Sequence, residues 1–182
     1  MKNIIFHKLY LTLAFFLIIN NSFALEGFIK NKGQFPNHVL AKKKINGGAL
    51  FVEQGKMVFS FYNQKHLKKF HDNKKTDSKI SFHSYSISFR NISKNLTTTY
   101  KHKYDYKENY YLGEKQKWAS NVPIFNEVLQ ENIYKGIDLR IYNHDENLKY
   151  DLILSKVADV SEVIMKYQHV ESLTLVNLSL IH

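Results

Sequence analysis

The sequence of 182 residues contains no cysteine, which removes several kinds of chemistry at once. Disulfide bonds, thiolate zinc sites, iron–sulfur clusters and cysteine catalysis are all excluded. Glycine and proline are also scarce, with 7 and 2 residues, so the chain is neither collagen-like nor a Pro/Gly-rich disordered segment. The fold must therefore be held by its apolar core, and the length suits one domain.

Arginine is nearly absent as well, since the basic charge comes from lysine and only Arg90 and Arg140 are arginines. The formal net charge is +10, which favours contact with anionic surfaces. Readout of bases and phosphates in nucleic acids relies heavily on arginine. We therefore expect no nucleic-acid partner, and consider anionic or neutral polysaccharide, or other surface proteins, as partners.

Residues 1–24 have the pattern of a secretory signal peptide. Lys2 and Lys8 precede an apolar run over residues 9–19, and Ser22-Phe23-Ala24 provides a small-x-small cleavage site. The run is too short to span a bilayer comfortably as a helix. We expect cleavage after Ala24 and a product without a stable membrane span. We expect the product to be secreted or to lie at the cell surface. It would be periplasmic if no C-terminal sorting domain for delivery to the surface follows.

Alternation of apolar and polar side chains dominates the rest of the chain and predicts β-strands. Residues 49–53 and 56–62 form a predicted hairpin around Gln54-Gly55, in which Glu53 lies opposite Lys56. A lysine-rich stretch at 63–79 is predicted as an exposed loop. Further short strands are predicted at residues 83–89, 163–167 and 173–181. The expected fold is an all-β, antiparallel β-sandwich of short strands with hairpin connections.

A second predicted hairpin pairs residues 136–142 with residues 148–154 across a four-residue loop. Its register places Arg140 opposite Asp151, with Asp138 on the same sheet face. An arginine between two carboxylates lowers the pKa of both, whereas a general acid needs a raised pKa. We therefore predict a structural ion pair of Arg140 with Asp151 and Asp138, and no catalytic residue, cofactor or metal site.

An aromatic cluster precedes and includes the single tryptophan, and it provides the candidate ligand-binding residues. Exposed aromatic rings form stacking platforms for sugars, whereas buried rings only fill a core. Packing and ligand binding both fit the sequence, and solvent exposure on one common face would distinguish them. The candidate residues are Trp118, Tyr104, Tyr106, Tyr110 and Tyr111.

Several phrases of the sequence occur together in a known family. They lie at residues 28–35 (FIKNKGQF), 48–62 (GALFVEQGKMVFSFY), 110–113 (YYLG), 117–123 (KWASNVP), 134–142 (YKGIDLRIY), 148–152 (LKYDL) and 158–167 (ADVSEVIMKY). In this order and spacing they resemble the N-terminal domain of unknown function of large secreted Bacteroidota proteins. The resemblance implies downstream SBBP or PKD-type repeats and a gliding-motility-associated sorting domain for type IX secretion. It implies no catalytic residues.

The expected organisation is a signal peptide over residues 1–24 and a single β-sandwich domain over residues 25–182. We expect this domain to be truncated at its C-terminal end, because the chain stops directly after an apolar alternating run. The resemblance implies a non-catalytic N-terminal accessory module of a secreted or cell-surface protein, with a role in adhesion and with downstream domains as partners. The alternatives are a carbohydrate-binding module and a domain of a secreted hydrolase.

Overall fold

The computed structural model describes residues 26–63, 81–145 and 147–174. The predicted signal peptide, most of the lysine-rich loop and most of the predicted strand 173–181 lie outside these residues. The described strands are β1 (Phe28–Lys30), β2 (Val39–Ile45), β3 (Gly48–Glu53), β4 (Lys56–Tyr62), β5 (Phe82–Phe89), β6 (Thr97–Tyr110), β7 (Ala119–Tyr134), β8 (Ile137–His144), β9 (Asn147–Leu154) and β10 (Met165–Gln168). Single 3-10 turns lie at Lys115–Lys117 and Val160–Glu162.

All ten strands belong to one antiparallel sheet, which confirms the predicted all-β class. The strand order is β10-β5-β4-β3-β2-β1-β7-β8-β9, and β6 pairs with β7 beside this path. The sheet is curled as a half-barrel, so the predicted sandwich is not confirmed. The expectation of short strands is wrong for β6 and β7, which have 14 and 16 residues and pair with each other.

Both predicted hairpins form in the predicted register. In the first, Glu53 lies opposite Lys56 and their charged atoms are 3.2 Å apart. In the second, Arg140 lies opposite Asp151. Pairing there continues to His144 opposite Asn147, so the loop is shorter than the four residues predicted.

The main core lies between one face of β1–β5 and the inner face of β7 and β8. It includes the buried side chains of Phe28, Leu50, Val52, Met57, Ile87, Val128, Ile133, Leu139 and Ile141. A smaller cluster lies on the opposite face of β1 and β7 and contains Ile29, Ala119, Val122 and Ile124. The serine-bearing face of β5 is also partly covered, since Ser86 and Ser88 are buried.

A buried glutamine ties the β3–β4 turn to β7. Gln130 is fully buried, and its Nε2 donates to the carbonyl oxygen of Glu53 at 2.7 Å. Its Oε1 accepts the backbone N–H of Gly55 at 2.8 Å. Gly55 has φ +61°, a left-handed conformation that glycine adopts without steric cost. Because both polar ends of the glutamine are satisfied, this contact fixes the hairpin against the long strand.

Among the described residues, no helix has both the length and the apolar character needed to cross a bilayer.

Candidate functional site

A groove of about 860 Å³ lies on the face of the sheet opposite the main core. We call it the aromatic groove. Side chains of β2 and β3 that reach it alternate with side chains that enter the main core, as the pleat of a strand requires. Its aromatic and cationic lining includes Phe51, Tyr62, Phe82, Tyr106, Tyr110 and Lys42.

The β6 wall of the groove is built around Tyr106, whose side chain is 44% exposed. Its ring stacks on that of Tyr104, with centroids 5.4 Å apart and planes 16° from parallel. Its hydroxyl is hydrogen-bonded to the backbone of Gly27, and partial burial raises its pKa. The stack holds the ring of Tyr106 in place where it lines the groove.

A glycine allows β1 to approach this wall closely. A Cβ atom on Gly27 would lie 2.5 Å from side-chain atoms of both Tyr104 and Ile124, and 2.8 Å from the carbonyl oxygen of Phe125. Only a residue without a side chain fits there. Tyr104 is further held by the bond from its hydroxyl to Oδ1 of Asn126, at 2.8 Å. The aromatic stack is therefore fixed before any ligand binds.

The opposite wall is formed by β4 and β5. Tyr62 and Phe82 are direct cross-strand neighbours at the end of this strand pair. Phe82 is 66% exposed, which is unusual for a phenylalanine in a folded domain. An exposed apolar ring beside polar groups in a concave surface is a common feature of binding sites.

The charged groups of the groove are mostly paired. Nζ of Lys44 lies 2.8 Å from Oε1 of Glu26, and this hydrogen bond raises the pKa of Lys44. Glu108 accepts a hydrogen bond from the hydroxyl of Tyr110 at 2.5 Å. The pKa of Tyr110 is raised mainly by burial and further by this hydrogen bond. Each of the two groove carboxylates therefore already holds a partner.

The five candidate aromatic residues are not all brought together. Tyr106 and Tyr110 line the groove, and Tyr104 lies directly behind Tyr106. Tyr111 and Trp118 lie outside the groove lining and contact each other edge to face, with centroids 5.5 Å apart and planes at 66°. They are 53% and 43% exposed, so Trp118 is not a core residue. The predicted platform is thus divided into two separate aromatic surfaces.

Most residues of the groove were missed by sequence reasoning, and Phe51, Tyr62, Phe82 and Lys42 are the ones that matter most for binding. The available signal was the second face of the predicted first hairpin. Phe51 and Tyr62 alternate there with Leu50 and Phe61, so apolar residues occupy both faces. A strand that is apolar on both faces predicts that each face is covered or binds something.

The ion pair of Arg140 differs from the predicted one. Its Nε lies 2.8 Å from Oε2 of Glu127, which is 3% exposed. Among the described residues Arg140 forms no ion pair with either aspartate, although Asp151 is its cross-strand neighbour. Asp138 instead accepts the backbone N–H of Asn132 at 2.7 Å, and Asp151 accepts the hydroxyl of Tyr142. The prediction considered only the β8–β9 hairpin, whereas β8 also pairs with β7, which carries Glu127.

No group of three histidine, aspartate or glutamate side chains in the described ranges could hold a metal ion. No curated protein and no solved structure matches the chain. A family model with the description "Domain of unknown function (DUF7948)" matches residues 28–181 and spans every described strand. The chain therefore belongs to this family of domains of unknown function.

Proposed function

We propose that the domain is a non-catalytic glycan-binding module of a secreted or cell-surface protein, and that the aromatic groove is its binding site. The observation that carries the proposal is the convergence of Tyr106, Tyr62 and Phe82 from three strands on one groove of about 860 Å³. Sugar rings have apolar faces that stack on aromatic rings, and hydroxyl groups that bond to charged and polar side chains. The groove offers both kinds of contact.

The proposal also includes the setting of the module. The export signal predicted over residues 1–24 and the resemblance to the front domains of large Bacteroidota proteins support a place at the N-terminus of a surface protein. Delivery would use type IX secretion, and downstream repeats would be presented beyond the module. Adhesion to a glycan-rich surface is the role that suits a binding module in this position.

The hydrolase alternative would need an acid and a base among the groove carboxylates. Glu26 and Glu108 both line the groove and lie near Tyr106. Glu26 is paired with Lys44, and Glu108 accepts a hydrogen bond from Tyr110. A general acid or base must reach the ligand to transfer a proton, and both groove carboxylates are already engaged by protein groups. The arrangement supports binding more than catalysis.

The test is a glycan array with the purified chain, followed by calorimetry on the polysaccharides that bind. Tyr106→Ala is expected to weaken binding about tenfold or more, because truncation of a central aromatic anchor costs at least ~1.4 kcal/mol. Tyr111→Ala is the matched control, since Tyr111 is exposed to a similar degree but lies outside the groove lining. It is expected to bind as the wild type does.

A second variant distinguishes a loss of binding from a loss of folding. Phe82→Ala removes an exposed ring from the opposite wall, so its stability should match the wild type while its binding falls. Absence of glycan binding, or equal losses in Tyr106→Ala and Tyr111→Ala, would refute the proposal. Release of reducing ends from a bound polysaccharide would support the hydrolase instead.

A further inference from the structure

We propose that the aromatic groove selects acidic glycans, and that Lys42 binds their anionic substituent, a carboxylate or a sulfate. This inference rests on the glycan-binding function proposed above and specifies the class of ligand. It identifies Lys42 as the residue that determines specificity, and Tyr106 as the residue that supplies affinity for the sugar ring.

The position of Lys42 is the first observation. It lies on β2 between Ala41 and Lys43, which point to the core side, so its own side chain reaches the groove. Its ammonium group lies 5.7 Å from the ring centroid of Phe35 and 5.9 Å from that of Phe51. Contacts of this kind attract a cation to an aromatic face. The charge is therefore held at the wall of the groove.

The charge balance of the groove is the second observation. Of its two lysines, Lys44 is neutralised by Glu26, whereas Lys42 has no carboxylate within ion-pair distance in the part of the chain that is described. Glu108 accepts a hydrogen bond from the neutral hydroxyl of Tyr110, which leaves its negative charge in place. The charges of the lining therefore balance, but Lys42 is the one lysine of the described lining that no carboxylate contacts. A ligand with a negative group would give this ammonium group a direct partner.

The surroundings of Lys42 strengthen such a contact. Aromatic rings exclude water from part of the ammonium group, so an anion that approaches it is less screened than at an open surface. A hydrogen bond between an ammonium and a carboxylate or sulfate is about twice as strong as one between neutral groups. The net charge of +10 attracts any polyanion, but without preference for the groove. Specific and general attraction must therefore be separated by experiment.

The experiment compares acidic polysaccharides with their own neutral counterparts. Uronic acid polymers are tested beside their carboxyl-reduced forms, and sulfated polymers beside their desulfated forms, each with the wild-type chain and with Lys42→Met. Lys149→Met is the matched control, because Lys149 is exposed on β9, outside the groove lining, and its loss changes the net charge by the same amount. Lys42→Arg restores the charge at the same position.

The wild type should bind one acidic polymer about tenfold more tightly than its neutral form, as expected for one charge-assisted hydrogen bond. Lys42→Met should abolish this preference and leave binding of the neutral form within about twofold. Lys149→Met and Lys42→Arg should keep the preference. The pair of polymers that shows it, uronic or sulfated, identifies the anionic group.

The failures of the two proposals are distinguishable. If neutral and acidic forms bind equally, or if Lys42→Met keeps the preference, the inference about Lys42 is wrong while glycan binding stands. If Lys149→Met weakens binding as much as Lys42→Met, the attraction is a general charge effect and the inference is also wrong. If no polysaccharide binds, the proposed function itself fails, and the inference fails with it.

Discussion

Replacement of Gln130 by leucine tests how the β3–β4 hairpin is held against β7. Leucine has a similar volume, so the core packing is largely kept while both hydrogen bonds of the side chain are lost. The N–H of Gly55 is buried with this glutamine as its acceptor, and the carbonyl of Glu53 is half-buried. An unpaired buried polar group costs about 1–3 kcal/mol, so the two losses together should cost about 2–4 kcal/mol.

Urea unfolding followed by circular dichroism measures this cost. With a slope of about 2 kcal/mol per molar urea, the midpoint of Gln130→Leu should fall by about 1–2 M. Such a loss is a large part of the total stability of a domain, which is about 5–15 kcal/mol. The slope should stay unchanged, because the variant is expected to fold to the same structure.

Gln34→Leu is the matched control. Gln34 also makes two hydrogen bonds to backbone groups, from Nε2 to the carbonyl of Lys30 at 2.8 Å and from the N–H of Lys32 to Oε1 at 2.6 Å. These bonds are partly or fully accessible to water, which can replace the side chain. Its loss should therefore cost less than about 1 kcal/mol. Equal midpoint shifts for Gln34→Leu and Gln130→Leu would refute the reasoning.

Two further substitutions test the electrostatics of the fold. Arg140→Met leaves the buried carboxylate of Glu127 without its cation and should cost about 2–4 kcal/mol of unfolding free energy in the same urea assay. The control Asp151→Asn should leave the urea midpoint nearly unchanged. Equal effects of the two substitutions would contradict the observed pairing. Burial and the bond to Glu108 raise the pKa of Tyr110 above its ordinary value of 10.0. The resulting stability is fully present below pH 10 and is lost as the pH rises through the folded pKa. The free energy of unfolding of Tyr110→Phe should therefore fall below that of the wild type by a constant amount below pH 10, and this difference should shrink above pH 10. A difference that stays constant to pH 11 would contradict the raised pKa of Tyr110.

The parts of the fold that could be predicted are those set by neighbouring residues. The Gln54-Gly55 turn and the alternation on either side of it determine the first hairpin, and both signals are local. The cap of the turn at Val160–Glu162 was predictable for the same reason, since Oδ1 of Asp159 accepts the N–H of Ser161 two residues later. Local patterns of this kind determine which residues pair across the hairpin as well as where its strands lie.

The long β6–β7 pair could not be predicted in this way. Within it, His102 and Asn121 have φ values of +55° and +53°, and the register shifts between Lys103 and Lys107. Such irregularities interrupt the period of two that identifies a strand in a sequence. The contact of Arg140 also depends on β7. Strand β8 pairs with β7 as well as with β9, and Glu127 lies on β7, outside the β8–β9 hairpin.

The candidate site was predictable only in part. Tyr106 and Tyr110 stood out because aromatic residues are concentrated around them. Phe82 and Lys42 carry no such local signal, since each becomes part of a site only when the curled sheet brings β6 opposite β2–β5. Convergence of distant strands is a property of the tertiary fold, and the pattern of residues within one sequence does not show which distant strands come together.

The structure of the chain bound to an acidic oligosaccharide chosen from the array is the most direct test of the central claim. The account predicts a sugar ring in contact with Tyr106 inside the aromatic groove, with its anionic group within hydrogen-bond distance of Nζ of Lys42. A sugar bound instead on Tyr111 and Trp118, with the groove left empty, would contradict it.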